Sequence, residues 1–169
     1  LESVLRLREE QKLRLRWPLQ ELMYVSASGK EFPNATQIIA DSANVKKFSE
    51  SKAEPKGKYA TKEFGEGKIY LNVEAGAELK EEWELMELRR RIQDKRKGLK
   101  LNPSDVVKME LDCSDKKFAA KYSREIEEST GTKIISGKGP MDKVLEREFY
   151  INLNAEQPRP QGQKSTGKK

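Results

Sequence analysis

The sequence predicts an α+β fold in which small mixed sheets carry helices packed on one face, preceded by the end of a helical bundle. Two kinds of segment alternate along the chain. Short stretches such as 68–74 place apolar residues at every second position, which is typical of a half-buried strand. Longer stretches such as 78–97 and 115–129 repeat apolar residues every three or four positions, which is typical of an amphipathic helix.

The first fifty residues predict a helix, a strand, a second helix and a second strand. Pro18 ends the first helix and restricts Trp17 to extended geometry, because a residue before proline avoids the helical region. Asn34 is expected to cap the second helix, since asparagine favours that position. The predicted elements are a helix over 1–16, a strand over 21–26, a helix over 35–43 and a strand over 45–49.

Residues 50–66 are rich in turn residues and poor in apolar ones, so they predict a loop or linker. After it come a strand over 68–74, a helix over 78–97, a strand over 105–112, a helix over 115–129 capped by Ser114, a strand over 132–136 and a last strand over 143–154. The predicted organisation is the end of a helical domain at 1–19, a small α/β segment at 20–50, a linker at 51–67, an α+β domain at 68–154 and a disordered basic tail at 155–169.

The helix predicted at 78–97 carries a strong charge pattern. Its acidic residues lie in the first turns and its basic residues in the last, as the helix dipole favours. The apolar stripe expected to face the core consists of Leu79, Trp83, Leu85, Leu88 and Ile92. Six of the nine residues from 89 to 97 are basic, so this helix end is a candidate surface for a phosphate backbone.

The composition also favours an acidic partner. Charged residues make up 37% of the 169 positions and hydrophobic residues 35%, with a formal net charge of +6 and an isoelectric point near 9.3. An excess of positive charge favours nucleic acid first. The alternative is ordinary solvated charge, part of it in the tail and part of it neutralised by neighbouring glutamates.

The sequence contains no histidine and a single cysteine, Cys113. It therefore lacks the commonest general base and metal ligand, and it cannot form an internal disulfide or a thiolate zinc site. These absences fit a reducing, cytoplasmic setting, and no apolar run approaches the roughly 20 residues of a membrane span. Cys113 alternates with Met109 and Leu111, so we interpret it as a core residue and not as a nucleophile.

Other catalytic arrangements have little support. The paired carboxylates at 81–82 and 127–128 look like solvated helix faces. The glycine-rich stretches at 65–67 and 137–140 lack the Lys-Ser/Thr of a phosphate loop, so both are predicted to be turns. A phosphate contact is the alternative at 137–140.

Two groups of residues are candidates for contact with nucleic acid. On the helix at 78–97, Arg89, Gln93 and Arg96 share one face, and Arg90 and Lys97 flank it. Arginine and glutamine can read base edges, whereas lysine mainly meets phosphates.

The second group lies at the end of the first predicted helix and consists of Arg14, Arg16 and Trp17. An aromatic ring beside arginines can stack on an unpaired base. The alternative, which we prefer for Trp17, is a packing anchor under the turn at Pro18.

Three motifs resemble those of one family and occur in the same order. Residues 12–19, Lys-Leu-Arg-Leu-Arg-Trp-Pro-Leu, resemble the Lys-x-Lys-x-Arg-x-Pro-Leu segment that closes the anticodon-binding helical domain of isoleucyl-tRNA synthetases. Residues 88–97 look like that family's Arg-Arg-Ile-Gln-x-x-Arg-Lys helix, and residues 41–46 are similar to its Glu-Leu-Asn-Val-Lys segment. The resemblance spans residues 1 to about 153 and looks closest to the archaeal and eukaryotic cytosolic form.

The resemblance implies a parent enzyme that joins isoleucine to its tRNA with ATP and Mg²⁺. The catalytic signatures of that family, of the His-Ile-Gly-His and Lys-Met-Ser-Lys-Ser types, are absent from this chain. The chain opens on Leu1 within a helical pattern, so we expect a non-catalytic C-terminal fragment, without cofactor or metal, that includes the end of the anticodon-binding domain.

The expected role is to hold the anticodon end of the tRNA. The implied partners are tRNA and the rest of the synthetase chain, with no membrane. By position in the family helix, the implied tRNA contacts are Arg89, Arg90, Gln93, Arg96 and Lys97. A docking module between domains of the synthetase and a free-standing RNA-binding protein are the alternatives.

Overall fold

The computed structural model describes residues 1–154, which form two small mixed sheets and four helices, so the predicted α+β class is confirmed. The elements are α1 (Glu2–Glu10), β1 (Leu19–Val25), α2 (Thr36–Ala43), β2 (Val45–Ser51), β3 (Tyr59–Phe64), β4 (Gly67–Asn72), α3 (Ala77–Gly98), β5 (Val107–Cys113), α4 (Lys116–Thr130), β6 (Thr132–Ile135), β7 (Asp142–Val144) and β8 (Arg147–Asn154). The chain divides into two compact units, Leu1–Met86 and the part from Glu87 onward, so the division falls within α3.

The first unit is built on the sheet β2-β1-β4-β3. Strands β1 and β2 are parallel and are connected through α2, whereas β4 is antiparallel to both β1 and β3. Leu22 pairs with Phe48 on one side and with Leu71 on the other, and all three side chains are buried. Helix α1 adds Val4 and Leu7 to this core.

The second unit is built on the sheet β6-β5-β8-β7. Strands β5 and β6 are parallel and are connected through α4, and β8 is antiparallel to both β5 and β7. The central strands contribute Met109 and Cys113 from β5 and Phe149, Ile151 and Leu153 from β8 to the buried core. Phe118 and Ile126 of α4, spaced as the 3.6-residue period requires, are buried too.

The two units share one topology. In each, a helix leads into a strand, a second helix returns the chain to a parallel neighbour, and two further strands complete the sheet in the order 2-1-4-3. The structure thus contains the same αβαβββ arrangement twice, a repeat that the sequence patterns did not predict.

Several predicted element boundaries were wrong. The first helix ends at Glu10 and not at residue 16, because Lys12 adopts a left-handed conformation with φ of 55°. The predicted last strand at 143–154 is a hairpin of β7 and β8, with Leu145 at φ of 57° in the turn. Asp115, not Ser114, caps α4 by accepting hydrogen bonds from two backbone amides. The side chain of Asn34 makes no cap bond to α2.

The loop predicted at 50–66 was wrong in its second half, because strand β3 lies there. This strand is at the edge of its sheet and pairs with β4 through a tight turn at Gly65, whose φ is 60°. Ala60 is the one residue of β3 that is buried, so the strand has too little apolar periodicity to be predicted from the sequence.

The remaining boundary predictions are not tested by the structure. The tail at 155–169 lies outside the described residues, so its disorder stays a prediction. The assignment of 1–19 to the end of an anticodon-binding domain also stays a prediction.

Candidate nucleic-acid interface

Helix α3 has the charge order and the buried stripe that the sequence predicts. Glu78 lies in its first turn, and its last turn contains Lys95, Arg96 and Lys97. All five residues of the predicted stripe are buried, namely Leu79, Trp83, Leu85, Leu88 and Ile92. Whether each basic side chain of α3 is exposed therefore depends on which other elements pack against the rest of the helix.

Arg89 and Gln93 contact helix α4. The Nη2 of Arg89 lies 2.6 Å from Glu125 Oε1, and the Nε2 of Gln93 donates to the carbonyl of Ser129 at 3.4 Å. The side chain of Arg89 is 30% exposed. This part of the predicted face thus holds two helices of the second unit together.

Arg96 is buried, with 4% of its surface exposed. Its Nη1 donates to the carbonyl of Gly131 at 3.0 Å, and its Nη2 donates to the carbonyls of Asn102 and Asp105, both at 2.8 Å. The guanidinium donates its hydrogen bonds to backbone carbonyls and does not point into solvent. Helical spacing suggested that Arg96 lies on the surface, but in the structure this side chain is buried.

Arg90 and Lys97 are the two predicted α3 residues that are exposed. Arg90 forms ion pairs with Asp94 at 2.7 Å and with Glu87 at 3.4 Å along its own helix. Lys97 and its neighbour Lys95 take part in no ion pair within residues 1–154. The exposed positive charge of α3 thus lies mainly at Lys95 and Lys97.

Trp17 packs against Trp83 in the first unit. The two rings are stacked with centroids 4.8 Å apart and an interplanar angle of 12°, and Trp83 donates its indole N–H to the carbonyl of Pro18 at 2.7 Å. Arg14 places its Cζ 5.6 Å from the Trp17 ring centroid. These contacts support the interpretation of Trp17 as a packing anchor, while Arg14 and Arg16 are exposed beside it.

Arg8, at the end of α1, is 1% exposed, and the sequence pattern did not single it out. Its guanidinium donates to four backbone carbonyls: those of Arg14 at 3.2 Å, Trp17 at 2.9 Å, Ala43 at 2.8 Å and Asn44 at 2.7 Å. Burial lowers the pKa of Arg8, and the carbonyls compensate the charge. These bonds fix the segment that carries Arg14, Arg16 and Trp17.

Arg8 and Arg96 are equivalent residues of the two units. Each donates to the carbonyls six and nine residues further along the chain. Each also donates to the carbonyl of the left-handed residue that ends the second helix, Asn44 in the first unit and Gly131 in the second. The sequence signal is an Arg-x-x-x-Lys-Leu pattern, which begins at both arginines.

The acidic side chains and Cys113 are further groups that could bear chemistry among the described residues. Within 1–154, no group of three or more Cys, Asp or Glu side chains could hold a metal ion. Cys113 is 1% exposed and burial raises the pKa of its thiol, so its prediction as a core residue is confirmed.

The glycine-rich stretches differ from one another. Gly65 and Glu66 form the predicted turn between β3 and β4. Residues 137–140, however, are not a turn but part of the crossover from β6 to β7, at opposite edges of the sheet, so that prediction was wrong.

A fold of this kind with exposed lysines is compatible with many classes of binding protein, so comparisons with known proteins narrow the choice. No protein-family model matches the chain. Over 58 residues, or 34% of its length, the chain is 43% identical to the isoleucine–tRNA ligase of Methanocella arvoryzae. The match covers 5% of that enzyme, so the chain spans only a small part of the relative. The match supports a relationship to this class of aminoacyl-tRNA synthetases.

No helix within residues 1–154 is long and apolar enough to cross a lipid bilayer.

Proposed function

We propose that this chain is a tRNA-binding region of an isoleucine–tRNA ligase and holds the anticodon end of isoleucine tRNA during aminoacylation. The observation that carries the proposal is the pair of exposed lysines, Lys95 and Lys97, on the last turn of α3 in a chain related to a tRNA ligase. Positive side chains that lack an internal partner can neutralise backbone phosphates and release their counterions.

The proposed contacts differ in kind. Arg90, Lys95 and Lys97 would meet phosphates from the second unit, and the exposed Arg14 and Arg16 would do so from the first. Arg89, Gln93 and Arg96 would act indirectly, because their hydrogen bonds hold α4 and the loop after α3 in place. Trp17 would fix the position of Arg14 through the ring contact that the two share.

The parent protein completes the proposal. It would be a cytoplasmic enzyme of the archaeal and eukaryotic type, and ATP and Mg²⁺ would bind in its catalytic domain. The present chain would be non-catalytic alone and would work together with the rest of the synthetase chain. The partial relationship to a ligase supports this placement.

A fluorescence titration with isoleucine tRNA and with a second tRNA, at 50 and 200 mM salt, tests the proposal. We expect binding that weakens steeply with salt and a preference for isoleucine tRNA. The double variant Lys95→Gln/Lys97→Gln should reduce the slope of log affinity against log salt by roughly 1.5, since each phosphate contact contributes about 0.7 to 0.9. The exposed pair Lys52→Gln/Lys56→Gln is the charge-matched control.

Three outcomes distinguish the possibilities. Absence of binding at 50 mM salt would contradict the proposed function. Equal affinity for both tRNAs would remove a discriminating role and leave general RNA binding. An unchanged slope in the Lys95/Lys97 variant would exclude the end of α3 as the contact surface.

A docking role within the synthetase is the second candidate, and an apolar groove in the first unit favours it. Leu15 is 59% exposed, and with Leu5 and Leu13 it lines a groove along α1. Replacement of Leu5 and Leu15 by serine should weaken association with the rest of the parent enzyme under this alternative. Affinity for tRNA would then stay unchanged.

A further inference from the structure

The duplicated topology places two lysines at equivalent positions. Lys12 follows Arg8 by four residues, and Lys100 follows Arg96 by the same interval. Both have left-handed backbone, with φ of 55° and 54°. In both units the amide of the lysine donates to the carbonyl three residues earlier, and the amide of the next leucine donates to the carbonyl of the arginine. The two helix ends therefore have the same backbone geometry.

Lysine is an unusual choice at this position. A left-handed residue after a helix is most often glycine, because a Cβ makes this conformation costly. Each unit nevertheless has lysine there, and both side chains are exposed. Within residues 1–154 neither side chain forms an ion pair or hydrogen bond, so no internal contact accounts for them.

Further basic side chains lie near both lysines in the sequence. Lys12 is followed by Arg14 and Arg16, and Lys100 is preceded by Lys95 and Lys97. Acidic residues lie nearby as well, but Glu10 pairs with Lys62 at 3.7 Å and Asp94 pairs with Arg90. Glu9 is exposed beside the first lysine.

The buried arginines hold the backbone next to each lysine in place. Arg8 and Arg96 tie the segment after each lysine to the end of the second helix through backbone carbonyls. A fixed loop loses less conformational freedom when a ligand binds than a flexible one does. In this arrangement the arginine does not contact the ligand, and its hydrogen bonds fix the backbone position of the lysine.

We propose that Lys12 and Lys100 form two equivalent phosphate-binding corners, one in each unit, and that each corner contacts an RNA backbone. The inference rests on the proposed tRNA-binding function and adds to it the residues and the number of contact points. Lysine ammonium groups are suited to this role because they meet phosphates without reading base sequence.

Replacement of each lysine by glycine gives a direct test. Lys12→Gly and Lys100→Gly remove the charge, and glycine relieves the left-handed backbone, so both variants should fold at least as well as the original chain. Asn34→Gly is the matched control, because Asn34 also has left-handed backbone, with φ of 64°, but carries no charge. A thermal melt of each full-length variant verifies folding.

The readout is a titration of isoleucine tRNA between 50 and 200 mM salt. Each single variant should lower the slope of log affinity against log salt by about 0.7 to 0.9, which corresponds to roughly a three-fold smaller loss of affinity over this range. The double variant should show the sum of both effects, and Asn34→Gly should show neither.

Other results would overturn the inference in distinguishable ways. If the original chain binds tRNA but both variants keep its slope, the corners are not contact points, although the proposed function stands. An effect of only one lysine would show a single contact and exclude equivalence. Failure of the original chain to bind tRNA would remove the proposed function and this inference with it.

Discussion

The two buried arginines, Arg8 and Arg96, depend on a property that only the guanidinium group has. Arg8 and Arg96 are each surrounded by carbonyl oxygens, and the planar guanidinium supplies donors in several directions at once. Lysine could not replace them, because a single ammonium cannot span carbonyls on separate segments. A charge that is buried with its hydrogen bonds complete is tolerated, whereas loss of the guanidinium leaves those carbonyls unpaired.

Replacement of Arg96 by methionine should destabilise the protein by about 2–4 kcal/mol, since three carbonyls lose a charged donor. The equivalent change of Arg8, which serves four carbonyls, should cost at least as much. Urea unfolding followed by circular dichroism measures both effects. The exposed neighbour change Lys97→Met is the control and should stay within about 0.5 kcal/mol. An equally small loss for Arg96 would contradict a structural role.

Cys113 should not react with thiol reagents in the folded protein. The side chain is buried at the end of β5, and burial raises the pKa of the thiol, so little thiolate is available. Ellman's reagent should therefore modify Cys113 only after unfolding in urea. The Ser104→Cys variant is the positive control, because position 104 is exposed in the loop before β5. Its new cysteine should react at once in the native state, while Cys113 in the same variant should not. Rapid labelling of the original native chain would show that β5 opens readily.

The crossover from β6 to β7 illustrates a constraint at the scale of elements. These strands lie at opposite edges of their sheet, so residues 136–141 must pass over the strands between them. Gly137 lies against the side chain of Glu110, and Gly139 lies against the ring of Tyr150. Glu110 in turn accepts hydrogen bonds from Tyr150 at 2.9 Å and from Asn152 at 3.0 Å. Glycine is therefore required at both positions by the close approach of the backbone to these side chains.

A methyl group at position 137 should disturb this packing. In Gly137→Ala the new Cβ would lie 2.7 Å from the Cγ of Glu110 and would also overlap its Cβ, which cannot move without the strand. We expect a loss of about 1–3 kcal/mol in the free energy of unfolding. Gly98→Ala, at the end of α3 with no atom near its added Cβ, is the control. It should be neutral or stabilise by up to about 1 kcal/mol. Equal stability of the two variants would show that the crossover is loosely packed.

At the scale of the whole molecule, carboxylates on both sheets depend on hydrogen bonds that need their charged form. Burial raises the pKa of Glu21, but hydrogen bonds from Lys47, Ser49 and Tyr59 outweigh it, so the net shift is downward. Hydrogen bonds from Asn152, Tyr150 and Asn154 lower the pKa of Glu110. The chain has no histidine that could titrate near neutrality. Its stability should therefore respond to acid and not to small changes around pH 7.

We expect urea midpoints to be nearly constant between pH 6 and 8 and to fall at acidic pH. A carboxylate whose folded pKa lies below its unfolded value stabilises the fold fully above the unfolded value, about 4.3 for glutamate. That contribution is lost as the pH falls through the lower, folded pKa. Glu110→Gln should reduce the acid dependence, whereas Glu66→Gln, in the exposed turn after β3, should not. A midpoint that rises on acidification would contradict the predicted direction.

The sequence alone determined the α+β class, the buried stripe of α3 and the core position of Cys113, because these follow from local apolar periodicity. It did not reveal β3, because this edge strand is held by backbone pairing with β4 and has few buried apolar residues. It also did not reveal the repeated topology, because the repeat lies mainly in the order of the strands within each sheet. The tertiary structure alone decided which basic residues face solvent. Arg96 and Lys97 are neighbours in sequence, yet one bonds to a carbonyl 35 residues away and the other is exposed. Helical spacing places a charge on a face, but only the elements folded against that face decide whether water or backbone surrounds it.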